Sequence, residues 1–222
     1  MWIKVCGIRD CTTAQQLAEL PIDAIGLNFY RESPRSVDLS TARAISELLP
    51  PEMLRVGLFV NHPIEEIEAI VSECGLNMVQ LHGDESPSFM SQLRRRLPTT
   101  PLMRAFRMGP DGLAPLGDYL RQCAAGDCDV AACLVDAHVT GVYGGSGKTA
   151  PWEQLSAEYR TGEWPQLVLA GGLKHENVAQ AISVVRPWGV DVASGVESAP
   201  GVKDLELIKQ FVFNARQAAA LA

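Results

Sequence analysis

The amino-acid sequence predicts one α/β domain over residues 1–222, a single (β/α)8 barrel of eight parallel strands. Three observations predict it. Eight short runs rich in Val, Ile, Leu and Ala recur along the chain, and most are nearly continuous in apolar residues, as expected of strands buried on both faces. Stretches with helical spacing lie between the runs. No linker splits the chain, since the Pro- and Gly-rich MGPDGLAPLGD (108–118) reads as a loop. An open doubly wound sheet would share the alternation; the count of eight favours the closed barrel.

The first strand is WIKVC (2–6), followed by helical TTAQQLAEL (12–20). DAIGLNF (23–29) leads through PRSVDLSTARA into a helix over STARAISELL (40–49), with Asp38 or Ser40 as its N-cap. LRVGLFV (54–60) precedes PIEEIEAIVSEC (63–74), where Pro63 suits a first helical turn and the early acids complement the helix dipole. LNMVQLH (76–82) precedes SPSFMSQLRRRL (86–97). PLMRAF (101–106) and AACLVDA (131–137) follow, with weaker helical signals near 112–124 and 151–159. QLVLAGG (166–172) leads to HENVAQAISVV (175–185), and GVDVASG (189–195) to a last helix over VKDLELIKQFVFNARQAAALA (202–222).

Composition limits the function classes. A 47% hydrophobic, 20% charged chain has apolar material for a sizeable core. The net charge of −7 argues against nucleic-acid or anionic-membrane partners, which need a basic footprint, while leaving room for a small anion held locally. The start MWIKVCGIRD has no stretch long enough for a signal peptide and no later segment could span a bilayer, so the expected location is the cytoplasm. The six cysteines fit a reducing compartment, and Cys123, Cys128 and Cys133 recur every five residues rather than at the close-paired spacing of a zinc site. No metal is expected.

One segment invites a different reading. DAHVTGVYGGSGKT (136–149) ends like a nucleotide-binding P-loop, G-x-x-x-x-G-K-[ST]. With Gly147, Lys148 and Thr149 as its end, the first glycine would have to stand where the chain has Val142. A one-residue shift aims the backbone N–H groups elsewhere. The segment keeps the chemistry of an anion loop without the P-loop spacing.

A barrel builds its site where the strands end at their C-termini. Here those ends carry Cys6-Gly7, Asn28, Val60-Asn61, Gln80 to Gly83, Arg104 to Arg107, Asp136, Gly171-Gly172, and Asp191 to Gly195. The glycines gather on the last three: Gly144, Gly145 and Gly147 with Ser146, then Gly171 and Gly172, then Ser194 and Gly195. Barrels often hold a phosphate with backbone N–H groups after strands seven and eight and the start of a short extra helix, which SGVES before Pro200 is placed to form. Each residue taken singly has a plainer explanation. Cys6 could be a buried thiol, Asp136 a loop cap, Arg35 a solvated arginine, His82 a rim histidine, and the glycines mere turns.

Together they resemble a family. KVCGIRD, GLNFYRESPRSV, VGLFVN, VQLHGDES, LVDA followed by GGSGKT, LAGGLKHENV and GVDVASGVESAPGVKD, in that order from first strand to last helix, resemble phosphoribosylanthranilate isomerase of tryptophan biosynthesis. The resemblance implies Cys6 as general base and Asp136 as general acid. It implies Arg35 on the anthranilate carboxylate, a pairing suited to a planar fork of donors. The ribose phosphate would lie on Gly145, Ser146, Gly147, Gly171, Gly172, Ser194 and Gly195, and Gln80, His82 and Asp191 would line the ribose pocket. The chain departs from the family pattern at Ala150-Pro151-Trp152, where Phe-Asp-Trp is common; Pro151 can still open the next helix.

The implied reaction is an Amadori rearrangement of N-(5-phosphoribosyl)anthranilate, an isomerisation with no redox change and no cofactor. Asp136 must be protonated despite an ordinary pKa near about 3.9, and Cys6 must lose a proton against an ordinary value of about 8.5. Lys4 shares a strand face with Cys6 and is a candidate to help it, as are nearby N–H groups. A related barrel, the imidazole-intermediate isomerase of histidine synthesis, uses an aspartate base where this chain has Cys6. A phosphosugar-binding protein without catalysis would have no need of both Cys6 and Asp136. Monomer and homodimer are both feasible.

Overall fold

The computed structural model describes residues 1–136 and 151–221. Among them, eight strands close into a parallel barrel in sequence order: β1 (Trp2–Cys6), β2 (Ala24–Asn28), β3 (Leu54–Phe59), β4 (Met78–Leu81), β5 (Leu102–Arg107), β6 (Ala132–Asp136), β7 (Gln166–Ala170) and β8 (Gly189–Val192). β1 closes the ring on β8, with Lys4 opposite Asp191. The helices α1 (Cys11–Ala18), α2 (Leu39–Leu48), α3 (Ile64–Glu73), α4 (Pro87–Arg96), α5 (Ala114–Ala125), α6 (Trp152–Glu158), α7 (Val178–Val185) and α8 (Leu205–Leu221) lie outside it. The weak signals after β5 and β6 are thus α5 and α6, and none of these helices is long and apolar enough to cross a membrane.

The helices start where side chains satisfy their first N–H groups. Asp10 accepts from Thr13 N at 2.8 Å, and Ser86 accepts from Phe89 N at 3.2 Å with Pro87 in the first turn. Of the two candidates for α2, Asp38 is the cap: its carboxylate takes Thr41 N at 2.8 Å and the Ser40 hydroxyl at 2.7 Å. Pro63 precedes α3 as its N-cap, and Pro151 does the same for α6, so the departure from Phe-Asp leaves that helix start in place.

The chain after β8 differs from expectation. Ser194–Val196 forms one 3-10 turn, and a small antiparallel hairpin follows, β9 (Glu197–Ala199) and β10 (Val202–Lys203), around Pro200-Gly201. The last helix therefore begins at Leu205, with Asp204 accepting from Glu206 N and Leu207 N at 2.9 and 3.1 Å. Val202 and Lys203 read as helical only because their neighbours are; the Pro-Gly turn draws them into the hairpin.

Two apolar layers result. Ile3, Val5, Ile25, Leu27, Phe59, Val79, Leu81, Val135, Leu169 and Val190 point outward and pack under the helices. Trp2, Ala24, Val56, Met78, Met103, Ala132, Leu134 and Val168 point inward and fill the barrel. Cys123, Cys128 and Cys133 are free and buried, and among the described residues no group of three or more His, Cys, Asp or Glu could hold a metal.

Candidate active site

The period of two that sends Trp2 into the lumen sends Lys4 and Cys6 there as well. The same alternation brings Asn28, Leu58, Gln80, Leu134, Asp136, Ala170 and Asp191 inward at the C-terminal ends of their strands. The lumen is apolar below and polar at this mouth. A cavity of about 380 Å³ opens there, within the range of roughly 300–1,000 Å³ usual for small-molecule sites. Cys6, Arg35, Gln80, His82, Asp136, Gly171, Gly172, Asp191 and Ser194 line it. Gly145, Ser146 and Gly147 lie outside the described residues, as does Ala150.

Among the described residues of the expected set, Gly195 is the one that does not line the cavity. A Cβ at this position would come within 1.8 Å of the Leu173 carbonyl oxygen, so the glycine lets the loops after β7 and β8 pack backbone to backbone. Gly171 and Gly172 have φ of +87° and +64°, a consecutive left-handed pair that turns the chain at the cavity wall.

Cys6 is 5% exposed. Its place depends on Gly26, its register partner on β2, because any Cβ there would stand 2.5 Å from the Cys6 sulfur. Burial pushes the Cys6 thiol up from its ordinary value, and the Lys4 ammonium opposes this only in part. Lys4 is fully buried, donates to Asp191 Oδ1 at 2.7 Å, and its charge acts on the neighbouring Cys6 side chain. Burial pulls Lys4 down, but Asp191 and Cys6 outweigh it and hold the ammonium charged. Lys4 and Cys6 share the inward face of β1, and the charge of Lys4 acts on the thiol from there.

Gln80 Nε2 donates to His82 Nδ1 at 2.8 Å, which leaves the imidazole proton on Nε2. Burial, followed by the charge of Lys4, pushes His82 below its usual range, so the ring is neutral. It can then act as a neutral hydrogen-bond donor in the cavity. Asp136 ends β6 half-buried at the mouth.

Arg35 sits on the loop after β2. Asn28 shapes that loop, accepting from Tyr30 N at 2.9 Å and donating to Ser33 Oγ at 3.1 Å, while Ser33 Oγ accepts from Arg35 N at 3.1 Å. The arginine is already paired: Nε and Nη2 donate to the two oxygens of Glu197 at 2.8 and 2.7 Å. Lys203 Nζ donates to the same carboxylate at 2.7 Å and to the Ala193 carbonyl at 2.9 Å. Residue types alone did not single out Glu197 and Lys203. The available signal was the Pro-Gly turn between them, which makes a hairpin and brings them opposite one another.

The family model for N-(5'phosphoribosyl)anthranilate (PRA) isomerase matches residues 3–214. The N-(5'-phosphoribosyl)anthranilate isomerase of Trichlorobacter lovleyi is 42% identical over 217 residues, covering 97% of this chain and 98% of that protein. The crystal structure of phosphoribosyl anthranilate isomerase from Thermotoga maritima matches with a TM-score of 0.82 at 39% identity, covering 98% of this chain and 99% of that one. A second crystal structure, of the isomerase in complex with reduced 1-(o-carboxyphenylamino)-1-deoxyribulose 5-phosphate, matches with a TM-score of 0.78 at 35% identity over 98% and 99% of the two chains. Sequence and fold agree across nearly the whole length, and the chain belongs to the N-(5'-phosphoribosyl)anthranilate isomerase family of tryptophan biosynthesis.

Proposed function

We propose that this chain catalyses the Amadori rearrangement of N-(5-phosphoribosyl)anthranilate to 1-(2-carboxyphenylamino)-1-deoxyribulose 5-phosphate, with Cys6 as general base and Asp136 as general acid. The observation that carries the assignment is that both side chains line one cavity whose wall also holds Arg35, the Gly171-Gly172 turn after β7 and Ser194 after β8. Asp136 donates its proton to the furanose ring oxygen, the C1–O bond breaks, and the amine lone pair forms the iminium. The iminium acidifies the C2 proton, Cys6 removes it, and the resulting enolamine takes a proton at C1 while its C2 hydroxyl gives one up, which leaves the ketone. Atoms and electrons balance within the substrate, and the two side chains exchange protons only.

The geometry supports the proton abstraction and the substrate contacts. The Lys4 ammonium beside Cys6 favours the thiolate at the moment of proton transfer. Arg35 supplies a cation for the anthranilate carboxylate, neutral His82 a donor for the sugar, and Gly171, Gly172 and Ser194 a backbone wall for the phosphate. Turnover is followed as loss of the substrate's anthranilate fluorescence. Cys6→Ala and Asp136→Asn should each lower kcat by about 10²-fold or more with far-UV circular dichroism unchanged. Near-native turnover in either variant removes that residue from the mechanism.

A further inference from the structure

We propose that Glu197, with Lys203 behind it, is a positioning residue that fixes Arg35 so that one edge of its guanidinium is presented to an aryl carboxylate, and that this pairing sets selectivity for carboxylated arylamine substrates. The inference rests on the reading of Arg35 as the carboxylate site and extends it to two residues of the β9–β10 hairpin.

A guanidinium carries five N–H groups on two bidentate edges. Glu197 takes the edge formed by Nε and one hydrogen of Nη2. The other edge, Nη1 with the second hydrogen of Nη2, has no partner among the described residues, and Arg35 lines the cavity. An incoming carboxylate therefore finds a second parallel fork whose plane is set before it arrives. A free arginine would lose rotamer entropy on binding, whereas one clamped on its far edge has already lost it.

Charge supports the same assignment. Glu197 and Lys203 are each 3% exposed by side chain, and Arg35 is 24% exposed. Burial alone would raise the Glu197 carboxyl, but hydrogen bonds from Arg35 and Lys203 hold it below the usual range. Two cations then share one anion, and the cluster keeps one positive charge facing the cavity. One ligand carboxylate completes it. Without Lys203, Glu197 would cancel Arg35 and the site would offer a neutral pair.

The backbone holds this arrangement closely. Gly7, with φ of +84°, lies where a Cβ would come 2.9 Å from Arg35 Cδ. Gly201, with φ of +78°, lies where a Cβ would come 2.5 Å from the Pro34 carbonyl oxygen. At Gly201 the hairpin backbone therefore approaches the Pro34 backbone directly, which brings Glu197 within reach of Arg35.

The test compares binding of reduced 1-(o-carboxyphenylamino)-1-deoxyribulose 5-phosphate with that of its phenylamino counterpart lacking the carboxyl, by titration calorimetry on the full chain. Wild type should prefer the carboxylated compound, and Arg35→Ala should abolish the preference. Glu197→Gln should reduce it by about tenfold or more, the size of a lost charge-assisted hydrogen bond, while affinity for the carboxyl-free compound stays unchanged. In turnover the same variant should raise KM by a similar factor and leave kcat within about threefold. Arg35→Lys keeps the charge but lacks a second edge, and it should lose the preference as well. Full preference in Glu197→Gln or in Arg35→Lys, with Arg35→Ala defective, overturns the clamp and leaves the carboxylate site standing. Full preference in Arg35→Ala overturns both.

Discussion

Lys4 shows how one residue can carry structure and chemistry together. It is fully buried, and its ion pair with Asp191 crosses the seam where the barrel closes. Replacing it by Met leaves the Asp191 carboxylate buried without its cation, an imbalance that costs about 3–5 kcal/mol. The same change removes the charge that draws Cys6 down against its burial. The sign follows from the proposed role: a general base at Cys6 acts as the thiolate, so kcat/KM should rise with pH as the thiol ionises, and burial sets that rise on the alkaline side of the ordinary cysteine value. Lys4→Met should therefore melt lower and also move the rising limb to higher pH. A profile that does not move would show that Lys4 serves stability alone. The face shared by Lys4 and Cys6 was legible from strand periodicity. Its contact with Asp191 was not, because it joins residues 187 positions apart and depends on how the ring closes.

At the scale of elements, the eight strands were legible because each is a short apolar run bounded by polar residues or glycine, and the observed ends fall within three residues of the runs. The β9–β10 hairpin was not, because Val202 and Lys203 are equally compatible with a helix until Pro200-Gly201 turns the chain. With the hairpin unread, Glu197 had no visible partner, and nothing in the sequence marked Arg35 as already paired on one edge. A second organiser was hidden for the same reason. Glu85, at 1% side-chain exposure, accepts from Asn61 N at 2.8 Å, Gly83 N at 2.9 Å and Arg104 Nη1 at 3.1 Å, joining the loops after β3 and β4 to β5. Glu85→Ala would take the carboxylate from the largely buried Arg104 guanidinium, which keeps only the Leu81 and Gly83 carbonyls, and would leave two N–H groups without their acceptor, a loss of about 3–5 kcal/mol. For a chain of this size, at about 2–4 °C per kcal/mol, that is a fall in Tm of about 6–20 °C. Differential scanning calorimetry measures it, and a shift under about 2 °C would mean the network contributes little.

The whole molecule separates stability from chemistry along the barrel axis. Trp2 plugs the N-terminal end of the lumen, stacking on Trp188 at 5.1 Å between ring centres, and Gly189 makes room for it, since a Cβ there would lie 2.8 Å from the indole. Cys6 belongs to the same strand and the same face, two inward positions further on, at the C-terminal mouth. Alternation alone placed both residues inside, while only the direction of the parallel strands says which end reacts. Trp2→Ala should accordingly remove core packing and leave the site intact. Large aromatic deletions cost about 3–5 kcal/mol, and the partial exposure of Trp188 allows some collapse into the space, so the lower end of that range is expected. Urea unfolding should show the loss as a lower midpoint with an unchanged slope. Turnover at a temperature where the variant is folded should keep kcat/KM within about threefold of wild type, since no group at the mouth has moved. A fall of orders of magnitude in kcat/KM with an unchanged midpoint would show that the two ends are coupled, and the division of labour along the axis would have to be abandoned.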